Sequence, residues 1–162
     1  MEPSFTPLDD PANRIDAIEE PMRRKLAAIV IGAFLLLALA AWAITPKHTP
    51  WRISSDGVHV DGLFWRGFAA ARDIDLAHGQ VVDFEQTAEW RPAAKEFGYD
   101  GFGYKAGSFI LKNGQHVELY LAHETKGVLL PRRSMRPLLI GVSDPQAFLA
   151  QARAAWPARA YP

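Results

Sequence analysis

The sequence predicts one N-terminal transmembrane α-helix followed by a mainly β domain that ends in a C-terminal α-helix. Three observations support this fold class: residues 26–44 are apolar throughout, short apolar alternations separated by turns occupy residues 51–142, and a capped amphipathic segment starts at Ser143. The predicted divisions are a disordered cytoplasmic tail (1–25), the span (26–44), a linker (45–50), the β domain with its helix (51–156) and a short tail (157–162).

The apolar segment 26–44 contains no charged residue and no proline. As a helix, its nineteen residues extend about 28 Å, close to the ~30 Å hydrocarbon core of a bilayer. A helix that is apolar on every side has no face for water, and a chain of 162 residues cannot enclose it in a core. The segment is therefore predicted to cross a membrane.

Positive charges flanking the span predict its direction. Arg23, Arg24 and Lys25 directly precede it, whereas Lys47 and Arg52 are the nearest lysine and arginine on the other side. The positive-inside rule places the N-terminus in the cytoplasm and the β domain outside it. The opposite orientation is the alternative, since the charge difference is small.

A cleaved signal peptide is a second alternative for the span. Ala41-Trp42-Ala43 has the small-x-small pattern of a cleavage site. The apolar run exceeds the usual 7–15 residues of a signal peptide, and the segment before it is long and acidic. These features favour an uncleaved anchor.

The segments on either side of the span are predicted to differ in stiffness. Residues 1–21 contain four prolines and two acidic pairs, which indicates a disordered tail. Within it, residues 14–20 have the spacing for one or two helical turns, which Pro21 would end. Residues 45–50 (TPKHTP) form a short, stiff linker that keeps the β domain near the membrane surface.

Alternating apolar residues predict the strands of the β domain. The candidate strands are residues 51–54, 57–60, 64–71, 80–84, 109–112, 115–121, 127–130 and 137–142. Residues 88–97 are left open between a helix and an irregular crossing. Asn113-Gly114 predicts a two-residue type I′ hairpin, and after it 117, 119 and 121 are predicted core positions while 116, 118 and 120 face water. Ser143-Asp144-Pro145 predicts a helix start and Pro157 its end.

Charge and cysteine content exclude several classes of function. The part of the chain after the span carries fourteen basic and twelve acidic residues, too small a surplus to predict nucleic-acid binding. The absence of cysteine excludes disulfides, thiol catalysis and Cys-ligated metals. The five histidines lack metal-binding spacing, and no nucleophile elbow or carboxylate pair stands out. We predict no metal, no cofactor and no catalytic residue.

The order of elements resembles that of the bacterial pleckstrin-homology-like (bacterial PH) domains found beside membrane spans in bacterial proteins. The residues that carry the resemblance are 54–58 (SSDGV), Gly98-Tyr99, 104–107 (YKAG), the hairpin 109–121 and 143–149 (SDPQAFL). The resemblance implies a PH-like split barrel with a C-terminal helix, and a binding or scaffolding role without known catalytic chemistry. It also implies a bacterial inner membrane.

The first hairpin departs from the lipid-binding PH domains of eukaryotes. Those domains hold phosphoinositide headgroups with basic residues around this hairpin, whereas the turn here is Ser55-Asp56-Gly57, which is short and acidic. The resemblance therefore does not support phosphoinositide binding by this hairpin.

Two sets of residues are candidate binding groups. Lys126, Arg132, Arg133 and Arg136 form the densest basic patch and are candidates for contact with anionic headgroups, although a solvated loop has the same composition. The second set is the aromatics of a glycine-rich stretch, which lacks nucleotide-loop spacing but can present exposed rings to a partner. These partner-binding candidates are Tyr99, Phe102 and Tyr104.

Together these observations predict a non-enzymatic, single-pass membrane protein. Its β domain is predicted to dock a membrane protein partner or a lipid headgroup at the bilayer surface. One alternative is an envelope enzyme, which would need a polar pocket with convergent titratable groups. The other is an assembly subunit that acts through its span, where Ala28, Gly32 and Ala33 are small enough for helix packing.

Overall fold

The computed structural model describes residues 11–44, 47–62 and 65–156. The chain divides into two compact units, Met1–Ile44 and Thr45–Pro162, which are described separately. The first unit contains an apolar helix, and the second is a mainly β domain.

Helix α1 runs from Pro11 to Ile44. Residues 11–25 of the predicted tail belong to this helix, and Pro21, the predicted end of a short helical segment, lies within it. Residues 1–10 of the predicted tail lie outside the described residues. Proline removes one backbone donor, but its fixed φ is compatible with a helix. The part Met22–Ala43, with mean hydropathy 2.6, is long and apolar enough to cross a membrane. Near the N-terminus, such a helix is compatible with a membrane anchor or a signal sequence.

The described residues of the β domain form nine strands in two sheets and a C-terminal helix. The three-stranded sheet, in the order β1-β2-β3, consists of Trp51–Ser54, Gly57–Asp61 and Arg66–Ala70. The strands of the second sheet are β4 Gln80–Asp83, β5 Pro92–Gly101, β6 Tyr104–Leu111, β7 His116–Leu121, β8 Lys126–Leu130 and β9 Leu138–Gly141. Their order is β4-β8-β9-β7-β6-β5. Helix α2 spans Pro145–Ala155, and three short 3-10 helices lie at Ala71–Asp73, Leu76–His78 and Ala88–Trp90.

The mainly β domain with a C-terminal helix is confirmed, but no barrel closure is seen among the described strands. β4 and β5 are the edges of the six-stranded sheet, and no strand of one sheet pairs with a strand of the other. All strand pairs are antiparallel except β7 and β9, which pair in parallel. Because a β8–β9 hairpin returns beside β7, strand order does not follow chain order.

Both faces of the six-stranded sheet are apolar. One face packs with Val58, Val60, Phe148 and other residues of the first sheet and of α2. The opposite face forms a second cluster that includes Phe109, Val117 and other strand residues. The prediction that alternate positions of β7 face water is wrong for Tyr120, which is buried. A Cβ added to Gly67 of β3 would lie 2.1 Å from the hydroxyl oxygen of Tyr120. Strand β3 therefore passes directly over the Tyr120 ring.

Two local predictions on either side of β6 are also corrected. Residues 88–97 form a 3-10 turn and then the start of β5, and β6 begins at Tyr104, earlier than predicted. The Asn113-Gly114 turn is not type I′, because Phe102 is the only described non-glycine residue with positive φ; Gly114 has φ +83°. A three-residue loop results, closed by the Leu111 N–H donating to the Gln115 carbonyl at 2.9 Å.

The predicted start of α2 is confirmed. The Asp144 side chain accepts a hydrogen bond from the Ala147 N–H at 2.9 Å, and Pro145 occupies the first turn. Phe148 is buried, with its ring centroid 4.8 Å from that of Trp51 in an edge-on arrangement. The Trp156 indole N–H donates to the Ser54 carbonyl at 2.7 Å. Pro157, the predicted end, lies outside the described residues.

Candidate functional site

A cavity of about 630 Å³ lies between the six-stranded sheet and the loop that follows β8. Ser108 of β6 and Glu118 of β7, which are register partners, belong to its floor. The loop between β8 and β9 forms the wall. We call this cavity the groove; its lining residues are Ser108, Glu118, Arg132, Arg133, Ser134, Met135 and Arg136.

A buried ion pair joins the floor of the groove to its wall. The Arg132 side chain is only 2% exposed, and its Nη2 donates to Glu118 Oε2 at 2.6 Å. Arg132 Nε donates to the Arg136 carbonyl at 2.6 Å, and the Tyr120 hydroxyl donates to Glu118 Oε1 at 2.7 Å. Burial, together with the Glu118 charge, raises the pKa of Tyr120, so this hydroxyl remains a donor. Both carboxylate oxygens of Glu118 are therefore occupied.

A second ion pair lies at the rim. Arg136 Nη1 bonds to Glu96 Oε2, and Glu96 Oε1 lies 3.1 Å from His116 Nδ1. Glu96 sits at a register irregularity of β5, between the paired residues Lys95 and Phe97. Its partial burial acts to raise the pKa of Glu96, but hydrogen bonds from His116 and Arg136 outweigh this and lower it. The loop is thus attached to the edge strand as well as to the floor.

Exposed apolar side chains flank these polar groups. Phe97 is 67% exposed and is the register partner of Ser108 in the floor. The Trp65 ring meets the Phe97 ring edge-on at a centroid distance of 5.1 Å. In the groove wall, Met135 is 59% exposed. The groove therefore combines a hydrogen-bonded floor with exposed apolar residues.

The four predicted basic residues do not form one patch. Arg132, Arg133 and Arg136 line the groove and follow the C-terminal end of β8. Lys126 is the first residue of β8, about 13 Å from the last residue of that strand at ~3.3 Å per residue. Arg132 is buried against Glu118, and Arg136 is paired with Glu96. Arg133 is exposed. Contact with anionic headgroups stays a prediction.

The three predicted aromatic residues differ in exposure. Tyr104 is 1% exposed, and its hydroxyl has no hydrogen-bond partner among the described residues. Burial and the nearby charge of Glu124 raise the pKa of Tyr104 to about 12. Tyr99 is partly buried against the core, whereas Phe102 is 58% exposed. Only Phe102 of this set presents most of its ring to solvent.

A separate polar cluster fixes the start of the β domain, and we call it the linker clasp (Thr49, Ala122 and Glu124). The Glu124 side chain is 3% exposed and accepts hydrogen bonds from the Thr49 N–H and, at 3.0 Å, from Thr49 Oγ1. The Ala122 N–H is 3.0 Å from Glu124 Oε2 and 3.1 Å from Thr49 Oγ1. His48 Nδ1 lies 4.0 Å from Glu124 Oε1.

Sequence reasoning missed the acidic halves of these sites. Glu118 and Glu96 have no spacing that points to Arg132 or Arg136, because each pair is brought together only by the sheet. No pattern in the sequence singles out Glu124, which follows His123. The described residues contain no cluster of three or more potential metal ligands. Thr49 is separated from Glu124 by 75 positions.

The three predicted topology determinants, Arg23, Arg24 and Lys25, are exposed positions of α1 within the N-terminal part of the candidate span. Their effect on direction stays a prediction. Comparisons of the chain with protein-family models, curated proteins and solved structures give no match.

Proposed function

We propose that this chain is a single-pass membrane protein whose β domain docks a protein partner through the groove. The observation that carries the proposal is the placement of Phe97 and Met135, both exposed, around a hydrogen-bonded floor walled by arginines. Aromatic residues, methionine and arginine are enriched in protein interfaces, and aromatics and arginine supply many binding hot spots.

The charges of the groove indicate the chemistry of the partner. Its lining contains three arginines and one glutamate, Glu118 in the floor, and Glu96 lies at the rim. A partner segment with an apolar side chain next to an acidic one suits this arrangement. The apolar side chain would cover Phe97 and Met135, and the acidic one would face the arginines.

A protein partner is favoured over a lipid headgroup by the ion pairs. The guanidinium of Arg132 is buried against Glu118, and that of Arg136 is already paired with Glu96. A headgroup phosphate would have to compete with both carboxylates. A protein segment can instead gain most of its affinity from the exposed apolar surface.

The state of Glu118 supports docking rather than catalysis. It is the only carboxylate among the lining residues, and both of its oxygens accept hydrogen bonds. A carboxylate whose two oxygens already accept hydrogen bonds from protein groups is poorly placed to take a proton from a substrate. The non-enzymatic role, like the alternative of an envelope enzyme, stays a prediction.

The proposed location is a bacterial inner membrane with the N-terminus in the cytoplasm. The flank of Arg23, Arg24 and Lys25 supports this direction, and the resemblance to bacterial PH-like domains supports the organism class and a PH-like fold for the β domain. External protease added to spheroplasts checks the direction: degradation of the β domain is expected, and its survival would reverse the orientation.

Site-specific photocrosslinking in the native cells tests the docking role. We expect a photoreactive phenylalanine at Phe97 to give a discrete adduct with a protein, because that ring flanks the groove. The matched control carries the photoreactive phenylalanine in place of Asn113, in the exposed β6–β7 turn. The adduct should weaken when Met135→Asp places an acidic group in the groove wall. Identical adduct patterns from positions 97 and 113 would contradict docking through the groove.

A further inference from the structure

We propose that the end of the β domain at which the linker enters lies against the lipid surface, with the Phe102 ring inserted into the bilayer interface. This inference rests on one part of the proposed function, namely that α1 is an uncleaved anchor. It concerns the lipid rather than the protein partner, and it uses residues outside the groove.

The linker clasp defines where the chain enters the domain. Thr49 is 4% exposed and is bound through both its N–H and its hydroxyl to the carboxylate of Glu124. The backbone N–H of Ala122 donates to the same cluster. Ala122 and Glu124 belong to the turn between β7 and β8. The linker therefore meets the domain at the end that carries this turn.

Covalent length limits the distance from the clasp to the span. Four residues separate Thr49 from Ile44, the last residue of α1. At no more than ~3.6 Å per residue, the five steps between them reach at most about 18 Å. In an uncleaved chain, the linker from Ile44 to Thr49 therefore cannot extend further than this.

The tip of the β5–β6 hairpin lies at the same end of the domain. A Cβ added to Gly103 would come 2.3 Å from Cε1 of His123, so the backbone of the tip packs on that ring. His123 belongs to the turn that holds Thr49. Phe102 is thus next to the entry point of the linker.

Phe102 is an unusual residue for an exposed turn. Its φ is +48°, a left-handed conformation that is costly for a bulky side chain and is most often taken by glycine or asparagine. Its ring is nevertheless 58% exposed, so it gains little from packing within the domain. A strained backbone that holds an apolar ring in solvent points to an external contact.

The chemistry of this end favours an uncharged contact. Lys105, next to the tip, is paired with Asp100, and Lys126 lies opposite Asp83 in the strand register. With both of these cations compensated or facing an acidic neighbour, the hairpin tip and the start of β8 attract anionic headgroups only weakly; Lys47, in the linker, is exposed. An aromatic ring, in contrast, is well suited to the boundary between headgroups and acyl chains.

The absence of cysteine allows a direct test in the full-length protein, since any introduced cysteine is unique. Phe102→Cys, labelled with an environment-sensitive fluorophore, is reconstituted into phosphatidylcholine vesicles that contain a nitroxide-labelled lipid. Asn113→Cys is the matched control, because it follows β6 at its other end, about 23 Å from the start of that strand at ~3.3 Å per residue.

We expect the label at position 102 to show blue-shifted emission and strong quenching by the nitroxide, and the label at position 113 to show neither. Adding phosphatidylglycerol should change the signal little. Water-like, unquenched emission at both positions, with near-UV circular dichroism of the variants unchanged, would overturn the inference. Insertion of the label at position 102 only when phosphatidylglycerol is present would contradict the inference that the contact is uncharged.

Flotation of the same vesicles separates this inference from the proposal on which it rests. Protein that floats with the vesicles but shows water-like emission at position 102 rejects the lipid contact alone. Protein that does not float rejects the anchor, and the inference fails with it. The crosslinking experiment at Phe97 reports on the groove and is independent of both results.

Discussion

Two glutamates in neighbouring positions of the fold, Glu118 on β7 and Glu124 in the turn after it, are held in opposite ways. Glu118 faces the guanidinium of Arg132, whereas the donors that contact Glu124 are the uncharged N–H and hydroxyl groups of the linker clasp. The contact with Arg132 compensates a charge inside the protein. The contacts of Glu124 attach a distant segment of chain. One buried carboxylate therefore neutralises a buried cation, and the other holds the linker.

Different consequences follow when each carboxylate is removed. Without Glu118, the buried cation of Arg132 has lost its counter-charge, and the groove loses the contact between floor and wall. Without Glu124, the N–H and the hydroxyl of Thr49 lose their acceptor and the Ala122 N–H keeps only Thr49 Oγ1, but no buried cation loses its counter-charge. Removal of Glu118 should therefore cost more stability, whereas removal of Glu124 should free the linker.

The largest effect is expected from Glu118→Ala. It should lower the free energy of unfolding by about 3–5 kcal/mol, because one partner of a buried pair is left charged and desolvated. Urea unfolding of the full-length protein in detergent, followed by near-UV circular dichroism, measures this loss. The double variant Glu118→Leu with Arg132→Met should recover much of it, because no charge remains. A loss below 1 kcal/mol for the single variant would show that the pair is not effectively buried.

A smaller effect is expected from Glu124→Ala. Leaving the N–H and the hydroxyl of Thr49 without their acceptor should cost about 2 kcal/mol in the same assay. Limited proteolysis should also cleave within residues 45–50 faster than in the unmodified protein. Glu124→Gln, which keeps one acceptor oxygen, is the control. Its stability and its cleavage rate should lie between those of the unmodified protein and of Glu124→Ala. Unchanged cleavage in the alanine variant would mean that Glu124 does not hold the linker.

The exposed Glu96 should show the smallest effect, visible mainly as a pH dependence. Its pKa is lowered from the ordinary 4.5, so its ion pair stabilises the fold fully above that value and loses its effect as the pH falls through the lowered pKa. The stability difference between the unmodified protein and Glu96→Gln should therefore shrink between about pH 6 and pH 3. A difference that is constant over this range would contradict a titrating Glu96–Arg136 pair.

Features decided by neighbours in the sequence were predictable. β1 occupies the predicted residues 51–54, and the Asp144-Pro145 start of α2 is as expected, because capping and alternation are local. The Asn113-Gly114 turn was located correctly but assigned the wrong type, since a three-residue loop with Gly114 alone at positive φ also closes the hairpin. Local sequence therefore determined where elements occur better than their detailed geometry.

Features decided by distant residues were not predictable. β5 was missed because its exposed edge carries Ala, Lys and Glu residues rather than a regular apolar alternation. The buried state of Arg132 depends on Glu118, fourteen positions away on another strand, and no motif links the two. Tyr120 was predicted to face water because the passage of Gly67 across its ring cannot be read from β7 itself.

The hydrogen bond from Trp156 to Ser54 has a consequence for the timing of folding. These residues are 102 positions apart, and Phe148 of α2 also packs on Trp51 of β1. Translation at ~5–20 residues per second separates the synthesis of the two ends by about 5–20 s. The apolar helix, which precedes the β domain in the chain, therefore leaves the ribosome while the β domain is still unfolded. The β domain completes its fold only after its final helix has left the ribosome.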